Sequence, residues 1–234
     1  MPSRIVTFDV GLTLVELDLD FLATRVAERG IHVDPAALRV AAGPAWARYD
    51  ARVEARDGSH GELWRDLFVT LLEGAGATGV ADTVEWLWSQ QLTRNLFRRP
   101  IADMIALVRE LAARGVTVAV VSNSEGRLAE LLTEIGIADL FAAIVDSGRL
   151  GIEKPDPRIF DHVLELVGGT RDRAIHVGDS WSTDVAGALA AGWRAIWYGQ
   201  RASAAVVARS PDRPRVAVAT DAAGVRAALA AFGI

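Results

Sequence analysis

The chain has 234 residues, half of them hydrophobic and a quarter charged, the balance of a folded protein rather than a disordered one. Its net charge of −5 argues against nucleic acid or an anionic membrane as partner, and the lack of cysteine excludes disulfides, thiolate metal sites and a thiol nucleophile. No stretch has the apolar length of a membrane span. Asp9, Glu16, Asp18 and Asp20 interrupt any signal-peptide core, so a cytoplasmic location is expected.

Ile5–Phe8 is a short apolar, β-rich run that ends in Asp9. The region from Leu17 to Arg99 reads as helical throughout, over Leu19–Arg29, Pro35–Arg56, Glu62–Leu72 and Val80–Phe97. Trp46, Trp64, Trp86 and Trp88 lie here and are expected to pack a small core rather than line a pocket. A helix over Ile101–Arg114 then leads to a strand, Val116–Val121, that ends at Ser122-Asn123. Helices over Glu125–Ile135 and Pro157–Val167 precede a third strand, Ala174–Val177, that ends at Gly178-Asp179. After a helix over Thr183–Ala191 come strands at Arg194–Tyr198 and Arg215–Ala219 and a helix over Ala222–Ala231. Gly115, Gly136, Gly168 and Gly192 stand where helix C-terminal caps belong. Strands alternating with helices predict an α/β fold with a parallel, doubly wound sheet. Residues 1–16 and 100–234 would form that core, and 17–99 an inserted all-helical domain.

Asp9, Ser122 and Asp179 each follow a predicted strand, which puts them at the C-terminal edge of the sheet, where ligands bind in this architecture. Each one alone also reads as a turn former or helix cap, and Asp184 as the cap of the helix beginning near Val185. Of the 25 basic residues, Lys154 is the one lysine. In a chain so biased to arginine, a retained lysine points to a compact charge in a tight site more than to an exposed loop lysine before Pro155. The histidines, His32, His60, His162 and His176, have no metal-ligand spacing, and His176 is expected to be packed and hydrogen-bonded within a strand.

The order and spacing of four segments resemble the haloacid dehalogenase (HAD) superfamily. They are Phe8-Asp9-Val10-Gly11-Leu12-Thr13-Leu14, Val120-Val121-Ser122-Asn123-Ser124, Gly151 to Phe160 around Lys154-Pro155, and His176-Val177-Gly178-Asp179-Ser180 with Asp184-Val185-Ala186-Gly187. The resemblance implies a Rossmann-like core with a helical cap between the first and second segments. It implies that Asp9 is a nucleophile forming an aspartyl-phosphate. Asp9, Asp179, Asp184 and the Gly11 carbonyl would hold Mg²⁺. Lys154 would neutralise Asp9 and a phosphoryl oxygen, and Ser122 with the Asn123 amide would donate to another. The expected partner is a small phosphorylated metabolite.

One position departs from that pattern. Phosphatases of the family carry a second aspartate two residues after the nucleophile, where this chain has Gly11, and the usual Gly-Thr pair is Leu12-Thr13. Glycine does no acid–base chemistry, which typically contributes about 10²- to 10⁴-fold. Three readings follow: a Mg²⁺-dependent phosphatase, slow or served by another acid; a 2-haloacid dehalogenase, whose halide leaves without a proton; and a catalytically weak binding or regulatory protein. Asp179 weighs against the dehalogenase, whose relatives use no metal. So does the absence of arginine between Ile5 and Thr24.

Overall fold

The computed structural model describes residues 4–55 and 57–234. Among them the chain divides into two compact units, one of the chain up to Glu16 together with Phe97–Ile234, the other of Leu17–Leu96.

The first unit opens with β1 (Ile5–Phe8) and β2 (Val15–Leu17), whose last residue passes into the second unit. The second unit consists of α1 (Leu19–Ala27), α2 (Pro35–Ala55), α3 (His60–Gly74) and α4 (Ala81–Gln90). The chain returns through β3 (Phe97–Pro100) and continues with α5 (Ala102–Ala113), β4 (Thr117–Ser122), α6 (Leu128–Glu134), β5 (Ile144–Asp146) and the single turn α7 (Ser147–Leu150). Then come α8 (Pro157–Val167), β6 (Ala174–Gly178), a π-helical turn at Trp181–Val185 running into α9 (Ala186–Ala190), β7 (Arg194–Tyr198), α10 (Ala204–Ala208), β8 (Val216–Ala219) and α11 (Ala222–Ala231).

Six strands make one sheet in the order β5-β4-β1-β6-β7-β8, with every pairing parallel. This is the α/β, Rossmann-like core expected from the alternation. Its chemistry follows from the pleat: successive side chains face opposite sides. Val6 and Phe8, Val118 and Val120, Ile175 and Val177 all enter one core, shared with Met104 and Leu107 of α5, Leu132 of α6 and Val225 of α11. Ile5, Ala119, Val121 and Ala174 enter the other, filled by Ile159, Phe160 and Val163 of α8, Ala188 of α9 and Trp193. Both faces are thus covered, as parallel sheets require. Helix α8 shows how locally the boundaries are written. Asp156 caps it by accepting from the Arg158 amide, Pro157 takes the first turn, and Gly168 closes it at φ 72°.

The helical unit has its own core, with Leu22, Val26, Leu38, Leu67, Phe68, Leu72, Val84 and Leu87 buried. Trp64 packs on Phe68 with ring centroids 4.0 Å apart and meets Trp88 at 5.1 Å. Trp64 is buried, whereas Trp46, Trp86 and Trp88 are partly exposed. A reciprocal capping box between Ser59 and Glu62 starts α3.

Several expectations need correction. The stretch 17–99 is not wholly helical: β2 and β3 pair in a separate two-stranded sheet where the chain leaves the first unit and returns to it, and the boundary falls after Leu96 rather than Arg99. The Phe97–Pro100 strand ends in proline and is short, so its period is unreadable. Helix α4 stops at Gln90, seven residues before Phe97. The edge strand β5 was not expected, because three residues carry no alternation. No described helix is long and apolar enough to cross a membrane.

Candidate active site at the C-terminal sheet edge

The register sets the site. Phe8 stands opposite Val120 on one neighbour and Val177 on the other. The next residue, Asp9, therefore emerges between the ends of β4 and β6, its amide still bonded to the Val177 carbonyl at 2.9 Å. Central strands in such a sheet deliver their next residue to the crevice at the carboxyl edge. Asp9, Ser122, Lys154 and Asp184 are all buried there, and Asp179 lies half-buried beside them.

Lys154 organises the acids. Its ammonium donates to Asp9 Oδ1 at 2.6 Å, to Asp184 Oδ1 at 2.5 Å and to the Val121 carbonyl at 2.8 Å. Its three donors are thus all used, and a planar guanidinium could not reproduce that tripod. Burial alone would lower its pKa, but Asp184 and Asp9 prevail and push it up to about 12. Asn123 does not point its side chain at the acids; it clasps the Lys154 backbone, donating to the carbonyl at 2.9 Å and accepting from the amide at 2.8 Å. The motif after β4 and the lysine loop are joined by this pair, which no spacing in the sequence reveals.

The three carboxylates sit in different environments. Ser122 Oγ and Lys154 both donate to Asp9 Oδ1, leaving Oδ2 outside these bonds. Burial pushes the Asp9 pKa up, with Lys154 opposing. Asp184 accepts from Lys154, from His176 Nε2 at 3.1 Å and from the Ser180 amide at 2.9 Å. Burial would raise its pKa, but Lys154 and His176 hold it well below the usual range. Asp184 is therefore an anchored anion and not a helix cap; Ser180 caps that turn. Gly178 is required here, because a Cβ would lie 2.3 Å from the Asp184 carboxyl carbon. Asp179 is paired with Arg201, and its pKa is driven up to about 7 by burial and by Asp9 and Asp184. One oxygen from each of Asp9, Asp179 and Asp184 can be chosen so that all lie within 4.8 Å of one another. Three carboxylates so close favour a hard cation among them.

Sequence reasoning missed two partners. Thr7 and His176 face each other across β1 and β6, and the Thr7 hydroxyl meets His176 Nδ1 at 2.8 Å. Burial lowers the His176 pKa, and a neutral ring protonated on Nε2 accepts from Thr7 and donates to Asp184. Arg201 follows β7 by three residues at the same sheet edge, and a charged residue so placed was the available signal. At Gly11, no atom lies within 4 Å of the position a Cβ would take, while Leu12 holds φ 57°, a left-handed conformation that favours glycine.

A family model for haloacid dehalogenase-like hydrolases matches residues 4–192. The chain is 30% identical over 207 residues to human "Haloacid dehalogenase-like hydrolase domain-containing protein 3", covering 82% of this chain and 80% of that one. It is 35% identical over 155 residues to a phosphoserine phosphatase of Thermus thermophilus, covering 65% and 61%. Among solved structures, a 2-haloacid dehalogenase from Pseudomonas syringae pv. Tomato superposes with a TM-score of 0.59 at 27% identity, covering 99% of this chain and all of that one. Its order of elements, its carboxylate cluster and a match over most of its length make this chain a member of the haloacid dehalogenase-like hydrolases.

Proposed function

We propose that the chain is a Mg²⁺-dependent phosphatase of small phosphorylated metabolites, with Asp9 as nucleophile and the helical unit as its cap. The observation that carries this reading is the convergence of Asp9, Asp179 and Asp184 within 4.8 Å. The set is all oxygen, which suits a hard divalent ion. It is also electrostatically unfinished, since burial, and after it the charges of Asp9 and Asp184, raise the pKa of Asp179. Asp9, Asp179 and Asp184 would hold the ion, with the Gly11 carbonyl beside them. Bound there, Mg²⁺ would neutralise the carboxylates and the phosphoryl oxygens.

The chain's own residues then divide the work. Lys154 and Ser122 fix the Asp9 carboxylate through Oδ1 and leave Oδ2 to attack phosphorus. As the new P–O bond forms, the ester P–O bond breaks and the alcohol oxygen leaves with its electron pair. Water supplies the proton, because Gly11 has none to give. A second water then attacks the phosphorus of the aspartyl-phosphate, releasing inorganic phosphate and restoring the carboxylate. Lys154, bonded to Asp9 Oδ1, lowers the repulsion between that carboxylate and an approaching phosphate. His176 and Ser180 hold Asp184, which in turn aims Lys154.

A second reading, a 2-haloacid dehalogenase, draws on Gly11 and on the likeness to the Pseudomonas syringae enzyme. There Asp9 would attack carbon and expel halide without a proton. Asp179 within the acid cluster favours the phosphatase. The test is steady-state turnover of a leaving-group series of phosphate esters, with Mg²⁺ and with excess chelator, beside halide release from 2-haloacids. Phosphate release should require Mg²⁺ and should rise steeply with leaving-group acidity, so that aryl and acyl phosphates outrun sugar phosphates. Halide release undiminished by chelator, with no phosphate release, would establish the second reading instead. No turnover in either assay would leave a binding protein.

A further inference from the structure

Asp179 differs from its two neighbours in what holds it. Asp9 and Asp184 share the ammonium of Lys154, which is 2% exposed. Asp179 Oδ2 accepts instead from Nη2 of Arg201, whose side chain is 34% exposed against 15% for the carboxylate. The two cations also differ in their tethers. Lys154 is locked by three hydrogen bonds and by the Asn123 clasp. Arg201 sits on the turn after β7, which begins at Gly199 with φ 98° and closes through an Ala202 amide to Gly199 carbonyl bond of 3.1 Å.

The backbone beneath the pair is fixed independently of it. Trp197 Nε1 donates to the Asp179 carbonyl at 3.0 Å, and the Trp197 ring packs on Trp181 with centroids 5.0 Å apart. Asp179 can therefore change its side-chain partner while its main chain stays in place. A guanidinium on one Asp179 oxygen and a dication held by Asp9, Asp179 and Asp184 would compete for the same negative charge and repel each other.

We propose that Arg201 is a tethered competitor of the divalent cation at Asp179 and that it sets the metal affinity of the site. This rests on the reading of Asp9, Asp179 and Asp184 as a metal site. Metal binding displaces the guanidinium from Oδ2, and the observed dissociation constant is weakened by the fraction of molecules in which the pair is closed. Arg201 is a positioning residue in this scheme, because it acts on the metal through Asp179.

The test is binding and not turnover. Free Mn²⁺ is titrated against the full-length chain by electron paramagnetic resonance, for the wild type, Arg201→Met, Arg201→Lys, Asp179→Asn and the Arg201→Met/Asp179→Asn double variant. Arg201→Met should bind Mn²⁺ roughly tenfold more tightly, within the usual range of coupling between two sites. Arg201→Lys keeps the charge without the fork and should fall between. In the Asp179→Asn background, Arg201→Met should bring a much smaller gain, since the shared carboxylate is gone. Equal or weaker binding by Arg201→Met, with the wild type binding normally, would overturn the competitor and leave the metal site standing. No Mn²⁺ binding by either the wild type or Arg201→Met would overturn the metal reading and this proposal together. Binding by Arg201→Met alone would support both in their strongest form.

Discussion

Both units of this chain carry surface ion pairs, but they differ in the charge they bury. In the helical unit, ion pairs lie on the surface: Arg39 with Asp20, Arg48 with Asp66, and Arg65 with Glu85, each with at least one partner substantially exposed. In the sheet unit, Asp9, Lys154 and Asp184 are buried at the carboxyl edge and joined through the Lys154 ammonium, with the neutral His176 ring bonded to Asp184 from within β6. Exposed pairs are screened by water and contribute little, whereas buried charges must be compensated with near-ideal geometry. A fold keeps such a costly arrangement where chemistry uses it, so charge burial separates the working edge from the packing scaffold. One residue crosses the line. Arg25 of the helical unit is 1% exposed, pairs with Glu28 and lies over Trp86 at 4.2 Å, with Nε and Nη2 buried and lacking a hydrogen-bond partner among the described residues.

The sharpest way to break the contrast is Lys154→Met. It strands Asp9 and Asp184 without their ammonium, and breaking a buried pair on one side costs about 3–5 kcal/mol. Urea unfolding should show that loss in the sheet unit, and phosphate release should vanish with it. Lys154→Arg keeps a charge and should fold, but its fork cannot satisfy the same three acceptors, so turnover should fall severely. Wild-type stability in Lys154→Met would mean that burial here carries no electrostatic weight.

Arg25→Met tests the exception with a smaller effect. Glu28 keeps Arg94 at 3.3 Å and is partly exposed, so removing Arg25 does not bury an orphaned carboxylate. The thioether fills the same space without two unsatisfied donors, so stability should be unchanged or rise by about 1 kcal/mol, after loss of the stacking on Trp86. A clear drop in the thermal midpoint would show that Arg25 is a structural keystone.

The smallest effect belongs to Arg48→Ala. The hydrogen bond from Arg48, more than any other favourable contact, holds the Asp66 pKa below its ordinary value, so the carboxylate's contribution to stability is present above the ordinary carboxylate range and is lost as pH falls through the lowered folded value. The variant should shift the thermal midpoint by about 2 °C or less near neutral pH, with the difference shrinking in high salt and below roughly pH 4. A larger, salt-independent shift would place this pair with the buried ones.

The alternation of strands and helices was readable because buried parallel strands are short apolar runs and their helices carry caps and glycine stops. β1, β7, α8 and α11 lie where the pattern put them. The helix expected over Glu125–Ile135 begins only at Leu128, because the amides of Gly126 and Leu128 turn to the Asp146 carboxylate at the end of β5. That is a long-range choice that local propensity cannot express.

By itself the sequence determined the type of fold, the candidate residues Asp9, Ser122, Asn123, Lys154, Asp179 and Asp184, and the missing acid at Gly11, since all of these depend on residue type at fixed spacing along one chain. Tertiary structure decided what each group touches. It turned Asn123 onto the Lys154 backbone, joined Thr7 to His176 and His176 to Asp184, and set Arg201 against Asp179. These pairs are made by sheet register and by loops meeting across strands, through hydrogen bonds that act at about 3 Å in space, and distance along the chain does not say which group meets which.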